Sequence, residues 1–159
     1  MKIALCQINP ILGNLSYNIE KIFDRYKKAV QENADLVIFP EMSITGYPPQ
    51  DLLLDKEFIF DCNTALKDLS KKIKNPMILG YVRSQGDSLY NSAALCQNGK
   101  IINNYDKILL PTYDVFDESR YFTPGEAPAV WSFNHNGKLY KIGVQICEDL
   151  WDSDYKIKV

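Results

Sequence analysis

The chain carries one histidine, His135, beside the turn dipeptide Asn136-Gly137, so a Ser-His-Asp triad or a Cys-His pair would have to use it. A histidine at a hairpin tip reads as a solvated side chain. A nucleophilic enzyme built on this sequence therefore takes its base from a carboxylate or a lysine. Three residues stand where such chemistry could be assembled. Glu41 closes the run Leu36-Val37-Ile38-Phe39-Pro40, Lys107 follows Ile101 to Asp106, and Cys147 closes Lys141 to Ile146. In open α/β sheets ligands gather outside the carboxyl ends of strands, so the three could meet there although far apart in sequence. Singly, each has a plainer reading: a strand-end acid, a solvated lysine, and a buried thiol acting as a small hydrophobe. Cys147 differs from Cys6, Cys62 and Cys96, which read as core, because Glu148-Asp149 follow it directly and mark where the chain leaves the interior.

Metal chemistry built on histidine needs more than one, and neither G-x-G-x-x-G nor G-x-x-x-x-G-K-[ST] occurs, so no metal, dinucleotide or P-loop site is expected. Eighteen basic against twenty acidic residues give a net charge of -2, spread along the chain, which offers no basic stripe for nucleic acid. The 159 residues suit one domain, and a hydrophobic fraction of 46% suits a globular one. Four widely spaced cysteines without a C-x-x-C pair read as thiols in a reducing compartment. No run approaches the roughly 18 apolar residues of a membrane span, and Gln7, Asn9 and Pro10 interrupt the first apolar stretch before it resembles a secretory leader. The expectation is a cytoplasmic protein.

The elements that must position these residues follow from periodicity. Lys2–Ile8 reads as a buried strand, and Ile19, Ile22, Phe23, Tyr26 and Val30 make the apolar stripe of a helix ended by Asn33 in a left-handed cap. Leu36–Phe39 is a second buried strand, followed by a Gly- and Pro-containing loop from Glu41 to Pro49. A second helix spans Asp55 to Lys74, with Phe58, Cys62, Leu66, Leu69 and Ile73 on one stripe and Asn75-Pro76 as its breaker. Strands are expected at Met77–Arg83, Leu89–Gln97, Lys100–Tyr105, Val130–Phe133 and Leu139–Ile146, with hairpin turns at Asn98-Gly99 and Asn136-Gly137. The order implies a layered α/β fold with a mixed sheet.

Three blocks together resemble the nitrilase, or carbon-nitrogen hydrolase, superfamily: Phe39-Pro-Glu-Met-Ser-Ile-Thr-Gly-Tyr47, Tyr105-Asp-Lys-Ile-Leu-Leu-Pro111 and Gly143-Val-Gln-Ile-Cys-Glu-Asp-Leu-Trp151. Ile3 to Asn9 and Phe122-Thr-Pro-Gly125 fit the same pattern. Tyr47-Pro-Pro-Gln-Asp-Leu-Leu53, Cys147-Glu-Asp-Leu-Trp151 and Val115 to Phe122 resemble, more narrowly, the glutaminase domain of glutamine-dependent NAD synthetases. The resemblance implies an α-β-β-α sandwich, of which residues 1–159 would be the N-terminal half to two-thirds. It implies a Glu-Lys-Cys triad of Glu41, Lys107 and Cys147 that hydrolyses the side-chain amide of L-glutamine through a thioester, with Lys107 also depressing the Cys147 pKa. Glu118 matches a second acid that orients the lysine or the deacylating water. Tyr47 and Tyr113 match aromatic positions lining the glutamine pocket, and Glu148 is a candidate for the substrate's α-amino group.

The amidase step would need no cofactor or metal; ATP and magnesium would belong to a synthetase domain, whose Ser-Gly-Gly-x-Asp-Ser phosphate loop is absent from this sequence. Expected partners are L-glutamine, that synthetase domain in the same longer chain, and further copies of the chain in a homo-oligomer, without nucleic acid or membrane. Part of a sandwich would expose an apolar sheet face and open strand edges. The alternatives are a freestanding nitrilase-family amidase acting on another small amide or carbamoyl compound, and a non-catalytic assembly module.

Overall fold

Alternation along the central strands sorts their side chains onto two faces, and everything else packs according to that sorting. The computed structural model describes residues 1–151, so the last eight positions of the expected domain lie outside the described residues. Strands β1 (Ile3–Leu5), β2 (Leu36–Ile38), β3 (Met77–Gln85), β4 (Ser88–Gln97) and β5 (Lys100–Asp106) form one sheet in chain order. The first three are parallel and the last two antiparallel, giving the mixed sheet expected. Strands β6 (Ala129–His135) and β7 (Lys138–Val144) form a separate antiparallel pair. Helices α1 (Leu15–Gln31) and α2 (Lys56–Ser70) complete the layers.

On the helix face, Val37, Leu79, Tyr81, Ala94 and Cys96 meet Ile22, Tyr26, Leu66, Leu69 and Ile73. On the opposite face, Leu36, Ile78, Ala93, Leu95 and Tyr105 meet Trp131, Phe133, Val144 and Ile146 of the second sheet. Strands β3 and β4 are buried on both sides, which is why they read as apolar runs without visible alternation. Both hairpin turns have the left-handed backbone their sequences called for: Asn98 and Gly99 at φ 52 and 77, Asn136 and Gly137 at 50 and 73. Asn33 closes α1 at φ 61.

Several boundaries differ from expectation. Strand β1 is three residues long and lies at the sheet edge, where Ile3 and Leu5 are 45% and 78% exposed rather than buried. Only Ala4 faces the helices; its two neighbours point to the inner face, which the two-stranded sheet does not reach. Helix α2 ends at Ser70, and the chain tightens into i→i−3 bonds, Lys72 N–H to Leu69 O and Ile73 N–H to Ser70 O, while keeping Ile73 in the core. Strand β7 stops at Val144, three residues before Cys147. His135 is not free in solvent: its side chain is 10% exposed, with Nε2 3.4 Å from Asp35 Oδ1. No described helix is long and apolar enough to cross a membrane.

Candidate active site

The same period of two that builds the core places the site. Ile78 and Ala93 lie on the inner face, so Gly80, Asn91 and, continuing from Tyr105, Lys107 follow on that face beyond the apolar cluster. Pairing of β4 with β5 continues one residue past the strand, with Lys107 N–H donating to Asn91 O at 2.8 Å. Glu41 reaches this corner from β2 by crossing over β3, where Gly80 N–H donates to Pro40 O at 3.1 Å. A Cβ at Gly80 would lie 2.6 Å from Glu41 Cα, so the crossing requires glycine. Gly125 plays the matching part for the lysine: its N–H donates to Lys107 O at 2.8 Å, and a Cβ there would run into the Asp106 carbonyl.

Lys107 is 1% exposed and is the largest fully buried side chain. Its Nζ lies 2.9 Å from Glu41 Oε1 and 2.9 Å from both oxygens of Glu118. Glu118 is 5% exposed and also accepts from Tyr47 Oη at 3.0 Å. Burial alone would lower the lysine pKa, but the two carboxylates outweigh it and hold the ammonium above its ordinary value. Burial pushes Glu118 up, with Lys107 opposing. Burial, and then the charge of Glu118, pushes the Tyr47 phenol up. One cation between two carboxylates leaves the cluster with an excess negative charge.

Cys147 comes from the other sheet. It opens a short 3₁₀ turn (Cys147–Trp151), has φ 46 and is exposed. It lines one groove of about 410 Å³ with Glu41, Gly80, Ile38, Ile78 and Ile146. Its thiol is not depressed, contrary to expectation. Lys107 does pull it down, but burial first and then the Glu41 charge, with smaller contributions from Glu118 and Glu148, carry it above the ordinary thiol value. The thiol therefore rests protonated beside a carboxylate that can accept its proton.

Asp149, 2% exposed, ties the two halves together. Its carboxylate accepts from Ile108 N–H at 3.1 Å, Leu109 N–H at 2.9 Å, Ile146 N–H at 3.0 Å and Tyr105 Oη at 2.7 Å. The segment after Lys107 and the turn bearing Cys147 are thus fixed to one side chain. At the rim, Tyr113 Oη donates to Glu148 Oε2 at 2.7 Å, and Phe116 stands between Tyr47 and Tyr113 with ring centroids 6.2 and 5.6 Å away. The structure thus brings Glu41, Lys107, Glu118 and Tyr47 into one bonded cluster, sets Cys147 in the groove beside it, and places Tyr113 and Glu148 at its edge. No role was given from sequence to Asn91, Asp149, Gly80 or Gly125; Asp149 lies within the cysteine block and Gly125 within the Phe122–Gly125 segment, while Asn91 and Gly80 carried no signal. Among the described residues no group of histidine, cysteine and acidic side chains could hold a metal ion.

A thiol, a carboxylate and a buried lysine at the mouth of two facing sheets define a class, and the carbon-nitrogen hydrolase family model matches residues 2–157: the chain belongs to that family. It is a hydrolase of the nitrilase type. Among curated proteins it is 37% identical over 155 residues to the glutamine-dependent NAD(+) synthetase of Thermotoga maritima, covering 96% of this chain and 26% of that one. It is 41% identical over 151 residues to that of Acinetobacter baylyi, covering 94% and 27%. The solved glutamine-dependent NAD+ synthetase from Acinetobacter baumannii superposes with a TM-score of 0.83 at 38% identity, over 96% of this chain and 28% of that one. An amidase from Nesterenkonia sp. shares the fold, with a TM-score of 0.79 at 24% identity over 94% and 56%. The chain spans about a quarter of the length of the synthetases it matches.

Proposed function

We propose that this chain hydrolyses the side-chain amide of L-glutamine and is the glutaminase portion of a longer glutamine-dependent NAD synthetase. The observation that carries the reading is the fully buried Lys107 ammonium, shared by Glu41 and Glu118, with Glu41 lining the same groove as the exposed, protonated Cys147 thiol. The relatives' names supply the substrate.

Glu41 takes the Sγ–H proton as sulfur bonds to the amide carbon and the C=O π pair moves to oxygen. The oxyanion forms against the Lys107 ammonium and the backbone N–H that follows Cys147. When the pair returns, the C–N bond breaks and nitrogen leaves as ammonia with the proton from Glu41. Water then attacks the γ-glutamyl thioester, Glu41 removes its proton, the C–S bond breaks, and glutamate departs as the thiol is restored. Glu118 holds the lysine throughout. Tyr47, Tyr113 and Glu148 bind glutamine, with the Glu148 carboxylate facing its α-ammonium group. None of these steps calls for a metal or cofactor; ATP and magnesium would serve the synthetase domain that consumes the ammonia. Four free thiols fit a reducing, cytoplasmic compartment.

Release of glutamate and ammonia from glutamine, compared with release of ammonia from acetamide, tests the reading. Glutamine turned over in preference to acetamide, with both activities lost in Glu41→Gln and Lys107→Met, is the expected result. Preference for acetamide would indicate a freestanding amidase, and no release from either would refute the reading.

A further inference from the structure

Two asparagines are almost completely buried, and their bonding differs. Asn18, at 0% exposure on α1, has every polar atom in use: its amide donates to Ile11 O at 2.8 Å and Ile44 O at 2.9 Å, and its Oδ1 accepts from Ile11 N–H at 2.7 Å. It pins two loops to a helix. Asn91, at 1% exposure, spends its side-chain amide on the two acids of the site, with Nδ2 2.6 Å from Glu41 Oε1 and 3.4 Å from Glu118 Oε2. Its Oδ1 is buried with no partner among the described residues. An unpaired buried carbonyl works against stability, so the fold gains less from Asn91 than from Asn18.

We propose that Asn91 is a positioning residue that selects which oxygen of Glu41 moves the proton, an inference that rests on the glutaminase reading. Glu41 Oε1 already accepts from Lys107 Nζ at 2.9 Å. With Asn91 added, that oxygen has two donors and is the weaker base, leaving Oε2 to take the Cys147 proton and return it to the departing nitrogen. Two donors on one oxygen also stop rotation about the terminal torsion, which is otherwise broad and nearly two-fold. The residue type is what this task requires. A second cation would make Glu41 too weak a base, and an acid would set a third carboxylate against a single ammonium; an amide donates without charge. The main-chain carbonyl of Asn91 meanwhile accepts from Lys107 N–H, so one residue holds both partners.

Asn91→Leu replaces the donor and the unpaired carbonyl with methyl groups on the same branched outline, and Asn91→Ala removes both and leaves space. In both, kcat for glutamine is expected to fall by about 100-fold, the scale of general acid–base catalysis. KM should stay within about twofold, because a sealed residue has no contact with substrate to lose. The loss of kcat should be equal in the two variants although crowding in one and empty space in the other shift their unfolding midpoints by different amounts, a pattern that an ordinary core residue would not give. A kcat within about threefold of the parent, or a loss of kcat that follows the loss of Tm from one variant to the other, would overturn the proposal. Turnover by the parent with an unimpaired Asn91→Leu removes this inference alone; no turnover by the parent removes the glutaminase reading as well.

Discussion

The two sides of the groove are built in opposite ways. On one, Lys107, Glu118 and Asn91 are each no more than 5% exposed, and with Glu41 they are joined by a closed set of hydrogen bonds. On the other, Cys147 and Tyr113 are exposed, and the bond between Tyr113 and Glu148 faces solvent. Groups that must keep their geometry and charge are sealed behind the strands, where a reduced dielectric strengthens their interactions. Groups that the proposed reaction needs to meet an incoming molecule stand at the opening. Asp149 couples the two, since it binds backbone from both.

Breaking the sealed side should have the largest consequence. Lys107→Met leaves two carboxylates without their cation, which is expected to cost about 3–5 kcal/mol of stability and to lower glutamine turnover by about 10³-fold; thermal unfolding and ammonia release measure the two. Asp149→Ala strands three backbone N–H groups and the Tyr105 hydroxyl, a loss of about 3 kcal/mol, while Tyr105→Phe, which removes one of those donors, should cost about 1 kcal/mol. Denaturant titration should rank them in that order. Gly80→Ala pushes a methyl into the Glu41 backbone. Overpacking of this kind costs about 1–3 kcal/mol, and a shift near 1 Å in Glu41 should cost about 100-fold in turnover.

The thiol itself provides a finer test with a less obvious sign. Alkylation of Cys147 by iodoacetamide should rise with pH to a midpoint above that of an ordinary thiol, because burial and the Glu41 charge disfavour thiolate. Glu41→Gln removes that negative charge, so the midpoint should move down even as amidase turnover is lost. Lys107→Met removes the opposing positive charge and should move it up. A thiol made less acidic by Glu41→Gln would contradict this account. Smallest of all, Tyr113→Phe on the open side should leave stability unchanged and act only on KM.

Much of this was legible in the sequence because the signals were local. The Asn-Gly turns, the Asn33 cap, both helix stripes and the strands from Met77 onward each lie within a few residues of chain. Glu41, Lys107 and Cys147 stood out as chemistry-bearing residues at or just past the ends of expected strands. What escaped depended on contacts across strands. Asn91 reads as an ordinary polar residue in a strand until Gly80, Ala93 and Lys107 are seen to share its face. Gly80 reads as a neutral small residue until Glu41 passes over it. The direction of the Cys147 shift also required three dimensions, because Lys107 is only one of several charges near the thiol and is itself shared by two acids. Strand β1 was misread because an apolar composition cannot tell a covered strand from one at an edge that the second sheet does not reach.

The central claim, that Glu41, Lys107 and Cys147 act as one glutamine-directed site, is tested most directly by treating the chain with a glutamine-like diazoketone at neutral pH and mapping the adduct by peptide mass spectrometry. A single adduct on Cys147, blocked by excess glutamine and lost in both Glu41→Gln and Lys107→Met, is the result expected. No adduct, or indiscriminate labelling that includes Cys6, Cys62 and Cys96, would contradict it.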